Sequence, residues 1–345
     1  MELSVTLLGT AASVPTSARG TSAALIARGG ERWLVDCGEG TQRQLLRSGL
    51  GLIELDLILL THLHGDHHLG LPGLLKTYAL RGRTRPLRIA GPTGLGRLFG
   101  VFAPLIGRLP YRLELDERDP AGTEPLWAGD GARIAGFPTR HSVPSMGIAL
   151  IEDDRPGAFD VAAATALGVP AGPAFGTLQR GGEVTTPAGR VVRPQEVLGD
   201  PRPGRRVVLT GDTEPCGATI DVAAGASVLV HEATFLDVDR ERARETRHTT
   251  AREAAVIARE AGVDLLVLTH LSSRCAPREM RAEAAAAFPR AVVGRDFDVI
   301  DVPFPERGEP RVSSRRRRPP EPGDGAPGDE HAPAEARGTV VAHDL

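Results

Sequence analysis

THLHGDHHLG (residues 61–70) sets four histidines and one aspartate into the seven positions from His62 to His68. The whole chain has ten histidines, so surface composition does not account for four of them in one short run. His62 and His64 alternate, as an extended chain places two side chains on one side, and Gly65 permits a sharp turn before Asp66 and His67. Two pairs of donors then face two different points. Neutral imidazoles with a carboxylate suit Zn²⁺, and also Mn²⁺ or Fe²⁺, because no thiolate selects further. His68 is the spare, and a hydrogen-bonded structural role is expected for it.

The stretch closes an apolar run, LDLILLTH (residues 55–62), and three more runs end the same way: RVVLTGD (206–212), ASVLVHE (226–232) and VDLLVLTH (263–270). The first and last are nearly one phrase, which points to two halves of related architecture. Continuous apolar character bounded by turn residues predicts strands buried on both faces between helical layers, an α/β arrangement. Polar groups at several strand ends then converge on one sheet edge, where open α/β sheets hold ligands. Helices are expected over residues 40–48, 69–79 and 249–261, the last with Thr249 or Thr250 as N-cap and Gly262 as stop. Asp36 and Glu39 either cap the first of these helices or support the metal site.

Two regions differ in composition. Residues 151–204 are rich in Gly and Pro with few long apolar runs, and read as an insertion projecting from the core. From residue 303 the sequence lacks the apolar content to fold, so 303–345 is expected to be a disordered tail; its Arg315–Arg318 run reads as solvated rather than RNA-binding, and His331 and His343 carry no expected role.

Composition excludes several classes. With 41% hydrophobic and 25% charged residues, and apolar runs too short for a bilayer, a soluble globular protein is expected. The N-terminus opens with an acid and alternates like a strand, unlike a signal peptide, so the expected location is cytoplasmic. Cys37, Cys216 and Cys275 are odd in number and far apart, which argues against disulfides and cysteine zinc knuckles. A net charge of −3 excludes a strongly basic nucleic-acid coat protein while leaving room for local arginine patches.

Further histidines stand at His141 in HSVPSMGIAL, His231 in HEATF, His248 in RHTTAREAA and His270 in LTHLSSR. With DCGEGTQRQL (36–45), THLHGDH, LPGLL (71–75) and TGDTEP (210–215), these motifs resemble the metallo-β-lactamase fold, and within it the ribonuclease Z family of tRNA 3′-processing endonucleases. HxHxDH alone does not separate a nuclease from a thioesterase; the ordered set does. The resemblance covers residues 1–302 and implies a four-layer αββα metallo-β-lactamase sandwich as catalytic domain. LGVPAGPAFGTLQRGGEV (167–184) is similar to the Gly-Pro-containing arm that grips the tRNA elbow, making 151–204 an inserted flexible arm in which Gly172, Pro173, Gly176 and Arg180 touch substrate, aided by Arg190 and Arg193.

By the same resemblance, one Zn²⁺ is held by His62, His64 and His141 and a second by Asp66, His67 and His270, with Asp212 bridging, two ions per subunit. Asp66 is implied as proton acceptor for the attacking water and His248 as the group protonating the departing 3′ oxygen, with Glu232 fixing its ring. The implied substrate is precursor tRNA rather than DNA, and the implied assembly a homodimer without membrane contact. The competing readings are a hydrolase of a small ester, thioester or phosphodiester on the same HxHxDH core, which would need neither the arm nor HEATF, and an RNA-gripping metal protein without turnover, which a missing ligand would have signalled.

Overall fold

The computed structural model describes residues 1–314. Its strands are β1 (Leu3–Gly9), β2 (Ala23–Arg28), β3 (Glu31–Val35), β4 (Leu57–Leu59), β5 (Leu87–Pro92), β6 (Leu113–Arg118), β7 (Trp127–Gly129), β8 (Ala132–Pro138), β9 (Met146–Glu152), β10 (Val184–Thr185), β11 (Val191–Val192), β12 (Arg206–Leu209), β13 (Val228–Glu232), β14 (Leu265–Thr269), β15 (Ala291–Val293), β16 (Asp298–Asp301) and β17 (Arg311–Ser314). The α-helices are α1 (Thr41–Arg47), α2 (Gly65–His68), α3 (Leu71–Leu80), α4 (Leu95–Ile106), α5 (Val161–Ala166), α6 (Pro173–Gln179), α7 (Gly217–Ala223), α8 (Arg240–Thr246), α9 (Ala251–Ala261) and α10 (Pro277–Ala287).

The strands make an eight-stranded sheet, β17-β16-β1-β2-β3-β4-β5-β6, and a seven-stranded sheet, β15-β14-β13-β12-β9-β8-β7. Each begins with antiparallel pairs and continues with four parallel strands, β3 to β6 in one and β12 to β15 in the other. The two similar phrases therefore occupy matching places, as β4 and β14, each with parallel neighbours on both sides. Their continuous apolar character follows, because both faces of each strand are covered.

Three buried clusters divide the layers. One lies between the sheets, with Val5, Trp33 and Leu59 of the first facing Ile148, Val207 and Val267 of the second. A second packs the outer face of the eight-stranded sheet on α1, α3 and α4 through Leu45, Leu74 and Phe99. The third covers the seven-stranded sheet with α7, α9 and α10, where α9 presents Ala251, Ala254, Ala255 and Ala258 so that the helix sits close. Helix, sheet, sheet and helix follow in order, the expected αββα sandwich. Helix α9 starts on Thr250, whose hydroxyl accepts from Glu253 N–H while Glu253 accepts from Thr250 N–H, a reciprocal cap.

Two expectations gain detail. The insertion expected as a flexible arm has a folded centre: Ala164, Val169, Leu178, Val192 and Val197 form its own small core around α5, α6 and the β10–β11 pair, with Phe159 and Phe175 rings 4.9 Å apart. The boundary expected at residue 302 falls too early, because residues 311–314 pair with β16 as β17. That strand is short and polar, so it carries no apolar signal and gains its place by completing an edge. Residues 315–345, the rest of the expected tail with its arginine run and two histidines, lie outside the described residues. The three cysteines are free thiols, and among the described residues no helix is long and apolar enough to cross a membrane.

Candidate metal centre

The ligands predicted from the sequence stand in the segments that adjoin strand ends. His62 and His64 follow β4, Asp66 and His67 lie in α2, His141 precedes β9, Asp212 follows β12, and His270 follows β14. Gly211, at φ +61°, makes the turn that brings Asp212 in; a Cβ there would meet Thr61 at 2.6 Å.

The side chains converge as two adjoining groups. His62, His64, His141 and Asp212 offer donor atoms within 4.8 Å of one another, and so do Asp66, His67 and His270. In the first group, His62 Nε2 and His141 Nε2 each approach His64 Nδ1 at 3.1 Å. In the second, Asp66 Oδ2 lies 3.5 Å from His67 Nε2 and 3.3 Å from His270 Nε2. Asp212 reaches both, its Oδ2 being 3.6 Å from His62 Nε2 and 3.3 Å from His270 Nε2, and its Oδ1 3.4 Å from His67 Nε2.

These donors fit divalent ions. Among the described residues, His67 Nε2 and Asp212 Oδ1 are buried without a well-formed hydrogen bond and face each other at 3.4 Å, an arrangement that a cation between them would satisfy. The opposite ring nitrogens are anchored: His67 Nδ1 donates to Asp36 Oδ2 at 2.8 Å, His141 Nδ1 to the Arg247 carbonyl at 3.0 Å, and His270 Nδ1 lies 2.9 Å from Thr234 Oγ1 and His62 Nδ1 3.1 Å from Thr61 Oγ1. Such contacts aim the remaining nitrogen of each ring at the centre. A fixed set of imidazoles and carboxylates with no thiolate matches Zn²⁺, Mn²⁺ or Fe²⁺ chemistry.

The electrostatics suit an anionic floor. Burial opposes ionisation of Asp212, but His270, His67 and His62 hold its carboxyl well below the usual range. Burial, together with His67, pushes His62 well below its ordinary value, keeping it neutral. Burial would lower His67 too, yet the carboxylates of Asp212 and Asp36 lift it well above that value.

His248 stands beside this cluster, its ring 5.0 Å from that of His141 and stacked 5.4 Å from that of His270. Its Nδ1 donates to Glu232 Oε1 at 2.7 Å. Burial works against protonation of His248, but the Glu232 carboxylate overcomes it and pushes the ring up to about 9. Glu232 is fully buried and accepts further from Thr213 N–H, Thr234 Oγ1–H and Thr249 N–H. His248 also lies near enough to Asp212 and His270 to join a donor group with them.

Sequence reasoning left Asp36 and Glu39 between two roles. The structure gives Asp36 the supporting one, since it carries His67 and accepts from Thr61 N–H at 2.8 Å, while α1 has no side-chain cap and Glu39 is exposed. His68 is structural, with Nε2 3.3 Å from the Leu63 carbonyl and its ring against Phe102. His231 is buried with Nδ1 on the Glu232 carbonyl.

Other supports were missed: Thr61, Thr234, Ser13, whose N–H donates to Asp66 Oδ2 at 2.9 Å, and Arg247, whose guanidinium donates to the His141 carbonyl at 2.9 Å. The one available signal was that Thr61, Thr234 and Arg247 sit inside the quoted motifs. Among the described residues, four of the six non-glycine positions with positive φ, Ser13, Asp36, Arg247 and His270, touch this site, so backbone strain is concentrated where the candidate ligands gather.

The arm residues are elsewhere. Gly172, Pro173 and Gly176 form the start and middle of α6, and Arg180 caps its end, exposed and without an acidic partner among the described residues. Arg190 and Arg193, expected to add local cations to the arm, are paired with Glu196 and Glu183.

Two sheets back to back, with imidazoles and carboxylates gathered at one edge, define a metal-dependent hydrolase of the beta-lactamase superfamily, whose domain matches residues 31–271. The chain is 46% identical over 308 residues to the ribonuclease Z of Haloferax volcanii, covering 88% of this chain and 96% of that one, and 44% identical over 308 residues to that of Myxococcus xanthus, covering 88% and 99%. The crystal structure of the short form of human tRNase Z superposes with a TM-score of 0.64 at 27% identity, covering 87% of this chain and 99% of that one. The chain belongs to the ribonuclease Z family.

Proposed function

We infer that the chain is a metal-dependent endoribonuclease that removes the 3′ trailer from precursor tRNA, leaving a 3′-hydroxyl on the tRNA and a 5′-phosphate on the trailer. The observation that carries this reading is the convergence of seven ligand side chains, each anchored ring aiming its free nitrogen at a shared, anionic centre. His62, His64 and His141 would hold one ion and Asp66, His67 and His270 a second, with Asp212 shared, and zinc is the metal proposed. Bound there, such a pair supplies charge that lowers the pKa of a water and offsets charge developing on the phosphate.

The chain's own residues do the rest. Asp66, kept ionised beside His270 and His67 and oriented by Ser13 N–H, accepts a proton from the attacking water. His248 presents Nε2 toward the cluster, because Nδ1 is committed to Glu232, and gives a proton to the departing 3′ oxygen. Glu232 fixes the ring and keeps that proton in place. The arm, with Gly172, Pro173, Gly176 and Arg180 at its helix, contacts the tRNA backbone away from the cut, where glycines let amides approach phosphates and arginine offers two donors. We further propose a cytoplasmic homodimer, acting on RNA and not DNA.

Incubating the metal-loaded protein with a precursor tRNA carrying a 3′ trailer, and mapping the product to the nucleotide, tests the reading. A single cut after the discriminator base, lost in Asp66→Ala by a factor of at least ~10², is expected. Absence of any cut from protein holding two ions would turn attention to small esters and phosphodiesters.

A further inference from the structure

The chain enters the arm at Arg155 and leaves it at Arg202, and these two residues bridge each other, Arg155 N–H to the Arg202 carbonyl at 2.8 Å and Arg202 N–H to the Arg155 carbonyl at 2.9 Å. The segment after β16 meets this root. Glu306 accepts from Arg155 Nη1 at 2.7 Å and Nη2 at 2.9 Å, a two-pronged pair, and Arg202 Nη1 lies 3.5 Å from its Oε1. The Phe304 ring carries two guanidinium groups, Arg155 at 3.6 Å and Arg205 at 3.9 Å from its centroid. Arg205 is buried and donates to Glu152, to the Val302 carbonyl and to the Met1 carbonyl.

Both entering and leaving strands of the arm are thus tied to one short segment, and through Arg205 to β9 and to the ends of β1 and β16. A body joined to its domain by two chain segments is free to swing about them. Planar two-pronged pairing and a guanidinium stacked on an aromatic face restrict orientation as well as distance.

We propose that Phe304 and Glu306 are positioning residues that fix the arm's root and so the direction in which α6 is presented to RNA. This rests on the reading that the arm binds tRNA. The effect belongs to substrate binding, because both side chains lie by the start of β1 and the arm's root, at strand ends opposite those that carry His141 and Asp212.

Glu306→Gln and Phe304→Leu test it, each assayed on precursor tRNA and on bis(p-nitrophenyl) phosphate, a diester too small to reach the arm, with the arm-core variant Leu178→Ala as reference. KM for precursor tRNA should rise roughly tenfold or more in both clamp variants, as expected when a positioning contact shifts by about an ångström, with kcat on the small diester within about twofold of wild type. An equal fall on both substrates would show a general structural role and overturn the proposal. Unchanged KM in the clamp variants while Leu178→Ala raises it would overturn the clamp alone. Unchanged KM in all three would remove the arm reading, and the clamp with it.

Discussion

Asp36 lies 31 residues before His67 in the chain yet holds its ring, through a carboxylate that accepts from Thr61 with the other oxygen. Asp36→Asn keeps the volume and removes one acceptor, so His67 loses either its tautomer or its orientation. Metal retention should fall about 10–100-fold, the usual effect of removing such a partner, as read by competition with a chelator. Affinity within twofold of wild type would show that the backbone of α2 alone aims His67. The cluster of candidate ligands was legible because THLHGDHHLG compresses five candidates into one run and the remaining motifs supply His141, Asp212 and His270. Thr61, Thr234, Ser13 and Arg247 were not, because their roles exist only once strands distant in sequence meet, and because positive φ at a non-glycine residue leaves no mark in composition.

Among the elements, the buried parallel strands were the most readable, since β4, β12, β13 and β14 fall inside the apolar runs, and α9 starts on one of its two expected caps. Strand β17 was unreadable, being polar and stabilised by its partner strand. The arm sat between these cases. Its apolar residues are few and separated, so no period emerges, yet Leu178 and Val192 are fully buried in a core of their own. That core is independent of the three clusters of the sandwich, which predicts separable stability. Leu178→Ala should cost the arm ~2–5 kcal/mol, exceeding what so small a cluster has in reserve. Hydrogen exchange should then lose protection within residues 160–197 while β12 to β14 stay protected. Uniform loss across the sandwich would mean that arm and sandwich unfold as one unit.

On the scale of the whole molecule, Glu152 joins the two sheets. Arg28, at the end of β2, donates to its Oε1 at 2.9 Å, and Arg205, ahead of β12, donates to Oε2 at 2.7 Å and to Oε1 at 2.8 Å. All three residues are buried, and Arg205 extends the network to the carbonyls of Met1 and Val302, at the adjoining ends of β1 and β16 in the eight-stranded sheet. Burial opposes ionisation of Glu152, but the hydrogen bonds from Arg205 and Arg28 hold its carboxyl below the ordinary 4.5. A carboxyl depressed in the native state contributes stability above its unfolded value, and that contribution fades as pH falls through the native value. Glu152→Gln removes the charge and leaves two buried guanidiniums facing an amide, a loss of ~3–5 kcal/mol at neutral pH. Urea midpoints of wild type and variant should therefore lie far apart at neutral pH and draw together below pH 4.5, where wild type loses what the variant never had. A gap of constant width down to the acid limit would mean that Glu152 acts through shape and hydrogen bonding, with its charge contributing nothing to the joining of the sheets.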